Sequence, residues 1–96
     1  MSVQEQFQEE VAVLTAESPT YSIVLWNDDI NTFDWVIKAL VEVCGMDETQ
    51  AEQCSLIVHF KGKCSVADGE YEALKPKCTA ITDRGIQATI EQLANS

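Results

Sequence analysis

Positive charge is what this sequence has least of. It holds 6 Lys and Arg against 16 Asp and Glu, a formal net charge of −10 over 96 residues. A nucleic-acid binder needs a basic stripe, and an anionic membrane surface needs basic clusters. Both are excluded as partners, whereas cationic ligands and basic protein surfaces suit this balance. Histidine is scarcer still, with His59 alone. The 4 cysteines, Cys44, Cys54, Cys64 and Cys78, include no C-x-x-C pair. One histidine and no paired cysteines complete no zinc-finger pattern. The four thiols are expected to be reduced and structural. No apolar run is long enough to span a membrane. A basic segment followed by an apolar one is missing from the N-terminus, so no signal peptide and a cytoplasmic location are expected. The length allows one domain with a modest core, and it carries no repeat and no low-complexity tract.

What is there begins at residue 21. Residues 1–20 are acidic, without sustained apolar period, and end in Ser18-Pro19-Thr20. They are expected to form a flexible extension before a core domain over 21–96. Tyr21–Trp26 reads as a strand, β-branched and aromatic. A helix begins at Asn31 or Thr32. Phe33, Val36, Ile37, Leu40, Val41 and Cys44 keep helical spacing, and Gly45 stops it. A second helix starts at Asp47, with Gln50 as capping-box partner and Met46 and Ala51 as staple. Its apolar face is expected at Ala51, Cys54, Ile57 and Val58, and Gly62 ends it. Lys63–Ala67 is a short strand and Asp68-Gly69 a turn. Residues 70–83 form a third helix with Tyr71, Leu74, Cys78 and Ile81 inward. Pro76 should kink or interrupt it. Ile86, Ala88 and Ile90 alternate with polar residues in a last strand. The expected class is α+β: a three-stranded antiparallel sheet packed against three helices, in the order tail-β-α-α-β-α-β.

The chemistry concentrates in Asn27-Asp28-Asp29, where the first apolar strand stops abruptly. The two helices form a hairpin around Gly45-Met46. The end of the second, which carries His59, therefore returns to the start of the first, beside this cluster. Four uses of the cluster compete with a structural one. A calcium loop fails: Asn27 stands at position 1, Thr32 where glycine is needed, and Lys38 where a bidentate Glu is needed. A transition-metal site would have Asp28, Asp29 and His59 but no further obvious ligand. Acid/base catalysis by His59 with a carboxylate has no accompanying motif. Structurally, the acids could cap the first helix while His59 simply ends the second. The last use is recognition of an ammonium. That group offers three N–H donors and no acceptor, and an amide oxygen, a carboxylate and a neutral imidazole nitrogen supply three acceptors. A free α-amine, with a pKa of about 7.7–8.0, is mostly protonated at neutral pH. Acceptors at the mouth of an apolar groove suit the N-terminus of another polypeptide with a large apolar first residue.

The run YSIVLWNDDINTFDWVIKALVEVCGMDETQAEQCSLIVHFKGKC, residues 21–64, resembles the ClpS adaptor family. The specific elements are Asn27-Asp28-Asp29 after an apolar strand, then a hydroxyl and a large apolar residue opening a helix. An apolar-Val58-His59 ending and Lys61-Gly62-Lys63 follow. The resemblance implies an adaptor, not an enzyme. Such adaptors bind N-degron substrates beginning with Leu, Phe, Tyr or Trp. They deliver them to a Hsp100 ATPase of the ClpA/ClpC type, partner of the ClpP peptidase. It implies no cofactor and no metal. Asn27, Asp29 and His59 match the family's α-amine contacts, with Asp28 beside them. Leu25, Trp26, Asn31, Thr32, Phe33, Val36, Ser55, Val58 and Ile86 match positions of its side-chain pocket, and the N-terminal extension matches the segment that engages the ATPase. Phe33 and Ser55 both stand where the family often has Met, which implies a pocket of altered shape. The segment after residue 64 is shorter than usual and carries Pro76. Two rival readings are another interaction module with the topology of the large-subunit ribosomal stalk protein's C-terminal domain, and a small metal-dependent enzyme.

Overall fold

A computed structural model of the chain describes residues 20–93. The expected extension, up to residue 19, lies outside the described residues. Six elements follow one another: β1 (Tyr21–Trp26), α1 (Phe33–Cys44), α2 (Glu48–Lys61), β2 (Lys63–Gly69), α3 (Tyr71–Thr82) and β3 (Ala88–Gln92). This is the expected β-α-α-β-α-β order. The sheet is antiparallel, with β1 central between β2 and β3. Alternation along β1 sends Ile23 and Leu25 to one face, where they are fully buried. There they join Leu40 of α1, Ala51 and Val58 of α2, and Leu74 and Ile81 of α3 in one core. All three helices therefore cover the same face of the sheet.

The helix ends follow local chemistry. Thr32 caps α1, its Oγ1 accepting from the Trp35 N–H at 3.1 Å. Asp47 caps α2 by accepting from the Gln50 N–H at 2.7 Å, and Met46 and Ala51 are both buried as a staple requires. Gly45 and Gly62 end the two helices at φ of 70° and 93°, left-handed values at which a side chain would be strained. These two stops set the hairpin. The backbone N–H of Asn27 donates to the Gly62 carbonyl at 2.9 Å, which fastens the end of α2 to the end of β1.

Three expectations are corrected. Asp68 and Gly69 do not turn; they continue β2, opposite Ser22 and Tyr21, because β1 offers a full ladder to pair with. Pro76 does not interrupt α3, which runs on to Thr82. Pro76 lies on the exposed side, so the Glu72 carbonyl it leaves unpaired is also on the solvent side. On α2 the buried stripe is Ala51, Ser55 and Val58 with Cys54 half-buried, while Ile57 is 41% exposed. On α1 the fully buried pair is Ala39 and Leu40, and Phe33 and Val41 stand at the edge, exposed.

The four cysteines are free and half-buried. Burial, with Cys54 beside it, pushes the Cys64 thiol up to about 11, so it is protonated and unreactive at neutral pH.

Candidate functional site

A cleft of about 340 Å³ opens where the β1–α1 loop meets the last two turns of α2. It is lined by Asn27, Asp28, Asp29, Asn31, Thr32, Phe33, Val36, Ser55, Val58 and His59. The hairpin thus brings His59 to the Asn27–Asp29 cluster across one opening. Its size lies within the usual range for ligand clefts, about 300–1,000 Å³.

The loop wall is tied by hydrogen bonds. Asp28 Oδ1 accepts from the backbone N–H groups of Ile30 and Asn31, each at 2.9 Å. Asp28 Oδ2 accepts from Asn31 Nδ2 at 2.8 Å. The N–H of Asn31 above all, with the Asn31 side-chain amide and the N–H of Ile30, holds the Asp28 carboxyl below its ordinary value of 3.8, against desolvation, which outweighs either of the two lesser bonds. Asp28 is therefore a carboxylate whose oxygens are occupied inside the loop. Asn31 Nδ2 also donates to the Gly85 carbonyl at 2.9 Å, and Trp35 Nε1 donates to the Arg84 carbonyl at 2.9 Å. Arg84 in turn pairs with Glu42 at 2.7 Å. The link between α3 and β3 thus braces the loop from behind.

The remaining acceptors are exposed. Among the described residues, the side chains of Asn27, Asp29 and His59 make no hydrogen bond within the chain. His59 contacts the Phe60 ring edge-on at 4.9 Å between centroids. Next to Asp29 and His59 stand Ile30 and Phe60, 88% and 76% exposed, the two most exposed large apolar side chains described. Inward, Val36 and Val58 make an apolar floor beside Phe33. No group of three or more His, Cys, Asp or Glu among the described residues is arranged to hold a metal ion.

Three sequence-derived pocket positions lie elsewhere. Leu25 and Ile86 are in the core, 1% and 2% exposed, and support the cleft from below without lining it. Trp26 is half-buried, its Nε1 donating to Thr89 Oγ1 at 2.9 Å and its ring 5.2 Å from Lys63 Nζ. Alternation along β1 puts it on the face opposite Leu25. Sequence reading missed Trp35, Arg84 and Gly85 as supports. Two of them act through backbone carbonyls, which every residue has, so no residue type marks them.

The family described as ATP-dependent Clp protease adaptor protein ClpS matches residues 16–91. The chain belongs to the ClpS family. The ClpS adapter protein of Hydrogenovibrio crunogenus is 38% identical over 77 residues, covering 72% of this chain and 74% of that relative. The ClpS adapter protein of Corynebacterium aurimucosum is 29% identical over 83 residues, covering 86% and 75%. Agrobacterium tumefaciens ClpS2, solved bound to L-phenylalaninamide, superposes with a TM-score of 0.76 at 25% identity, covering 78% of this chain and 98% of that one. The chain is therefore an adaptor of the Clp protease and not an enzyme. Both rival readings, a ribosomal-stalk-like module and a metal-dependent enzyme, give way to the ClpS match. No described helix is long and apolar enough to cross a membrane.

Proposed function

We propose that the cleft binds the free N-terminal residue of N-degron polypeptides beginning with Leu, Phe, Tyr or Trp. In this reading the adaptor, in the cytoplasm, hands them to a Hsp100 ATPase of the ClpA/ClpC type working with ClpP. The observation that carries it is the set of exposed acceptors on Asn27, Asp29 and His59 around a cleft that Phe33, Val36 and Val58 also line. An ammonium brings three donors to these acceptors, and the adjacent side chain enters beside Phe33, Val36 and Val58. Asp28, with its oxygens occupied, shapes the loop and adds negative potential. Asn31 and Thr32 act as wall and cap, and Leu25, Trp26 and Ile86 act through packing.

The likeness to ClpS2 supports this reading. L-phenylalaninamide pairs a free α-amine with a benzyl group and an amidated carboxyl, the chemistry of an N-terminal phenylalanine. Burying a Leu or Phe side chain supplies about 1.5–3 kcal/mol. Each hydrogen bond to the charged amine adds roughly 1.5–3 kcal/mol. Less the ordering costs, this suits an affinity at or somewhat below about 1 μM.

Peptides that differ only in their first residue, each with a free or an acetylated amine, test the binding half. Acetylation removes the charge and two donors, so binding should fall by more than a hundredfold, from two or more lost charged hydrogen bonds of about 1.5 kcal/mol each. Equal affinity for both forms sinks the amine site. For the delivery half, a chain lacking residues 1–20 should bind peptides normally yet fail to promote their degradation by the ATPase and peptidase. Undiminished degradation refutes the role of the extension.

A further inference from the structure

Ser22 and Ser55 are both buried, and their hydroxyls fare differently. Ser22 on β1 hydrogen-bonds Ser65 on β2. Ser55 on α2 is 3% exposed, and its Oγ has no hydrogen-bond partner among the described residues. A helical serine commonly satisfies its hydroxyl on the carbonyl four residues back, here that of Ala51. Ser55 does not, and a buried hydroxyl left without a partner is unfavourable. Ser55 lines the cleft, so the cleft is where a partner can enter. It precedes His59 by four residues, one helical turn, or about 6 Å along the axis. The cleft thus has acceptors for an ammonium on Asn27, Asp29 and His59, and one helical turn from His59 it is lined by Ser55, whose hydroxyl has no partner among the described residues.

We propose that the Ser55 hydroxyl makes this cleft select N-terminal tyrosine over N-terminal phenylalanine. The proposal rests on the reading of the cleft as an N-terminal-residue site. Among large apolar first residues, tyrosine carries a polar group at the tip of its long axis, and a phenol both donates and accepts. Its ring sits against the apolar walls as phenylalanine's does, while its hydroxyl meets Ser55 Oγ. Phenylalanine has the same ring and leaves Ser55 unsatisfied. Leucine is too short to reach. Tryptophan has a donor alone, on the flank of its ring.

The experiment is calorimetric titration of the full chain with two peptides identical except for Tyr or Phe at the first position. Each is used with a free and an acetylated amine, against the unmodified protein, Ser55→Ala and Ser55→Cys. The unmodified protein should bind the tyrosine peptide about fivefold tighter, the value of one neutral hydrogen bond. In Ser55→Ala the two affinities should become equal within about twofold, with the phenylalanine peptide bound at least as well as before. Ser55→Cys, nearly isosteric with a weak donor, should fall between. Retained phenylalanine binding shows in the same titration that the variants are folded. A Tyr/Phe ratio that is the same in the unmodified protein and Ser55→Ala overturns the selection by Ser55 but leaves amine recognition standing. Binding of neither peptide through its free amine overturns both.

Discussion

On the loop wall of the cleft, Asp28 accepts three hydrogen bonds and Asn31 donates two through its side-chain amide. On the helix wall, Ser55 and His59 make none among the described residues. Asp28 and Asp29 mark the contrast most closely. They are adjacent carboxylates on one turn, yet one accepts three bonds from its own loop and the other accepts none among the described residues. A loop has no internal ladder of backbone bonds, so side chains must fix its shape. A helix fixes its own backbone, which leaves its side chains available for a ligand. The loop wall thus uses some of its polar groups to hold others in place, and the helix wall presents its groups on a scaffold that needs no such help.

Breaking the helix wall should therefore affect binding without affecting the fold. We expect His59→Ala to weaken the binding of a Leu- or Phe-initiated peptide about tenfold or more, from one lost charged hydrogen bond. Stability should stay within about 0.5 kcal/mol, since the side chain is exposed. Peptide titration and a denaturant curve on the same preparation check both parts. An unchanged affinity would remove His59 from the site.

Breaking the loop wall should cost stability as well as binding. Asp28→Ala strips the acceptors from two backbone N–H groups and from the Asn31 amide. By analogy with lost helix caps, this should cost about 1 kcal/mol of stability. Binding should weaken too, because Asn27 and Asp29 ride on the loop that Asp28 shapes. A denaturant midpoint that does not move would show that water replaces these bonds at no cost.

Much of this arrangement is legible in the residues themselves. Thr32, Asp47, Gly45 and Gly62 mark the helix ends, and the hairpin they define is enough to bring His59 to Asn27–Asp29. Polarity misled at Ile57 and Ser55. In a helix, angular position decides burial, and Ser55 shares the Ala51–Val58 stripe whereas Ile57 does not. Leu25 and Ile86 read as pocket walls but lie one layer deeper. The braces from Arg84 and Gly85 depend on where α3 delivers the chain, a tertiary fact without a local signal. Division of labour between Asp28 and Asp29 is equally invisible in two identical side chains, because it depends on which one the loop folds over.

That division has a consequence at low pH. Asp28 is held below its ordinary value of 3.8, first by the Asn31 N–H, so the unfolded chain binds its proton more readily than the folded one. Stability then rises with pH across this window. The contribution of Asp28 is complete above 3.8 and is lost as pH falls through the lower folded value. Replacing Asp28 by Asn removes this titration while keeping the side chain's shape. The stability difference between the two proteins should be constant from neutral pH down to about 4, then shrink as the pH drops further. The other carboxylates titrate in both proteins and cancel in the difference. Denaturant curves in parallel from pH 7 to pH 2.5 measure it. A difference that stays flat to the acid end would mean that the loop holds Asp28 no more tightly ionised than water does, and the contrast with Asp29 would lose its electrostatic basis.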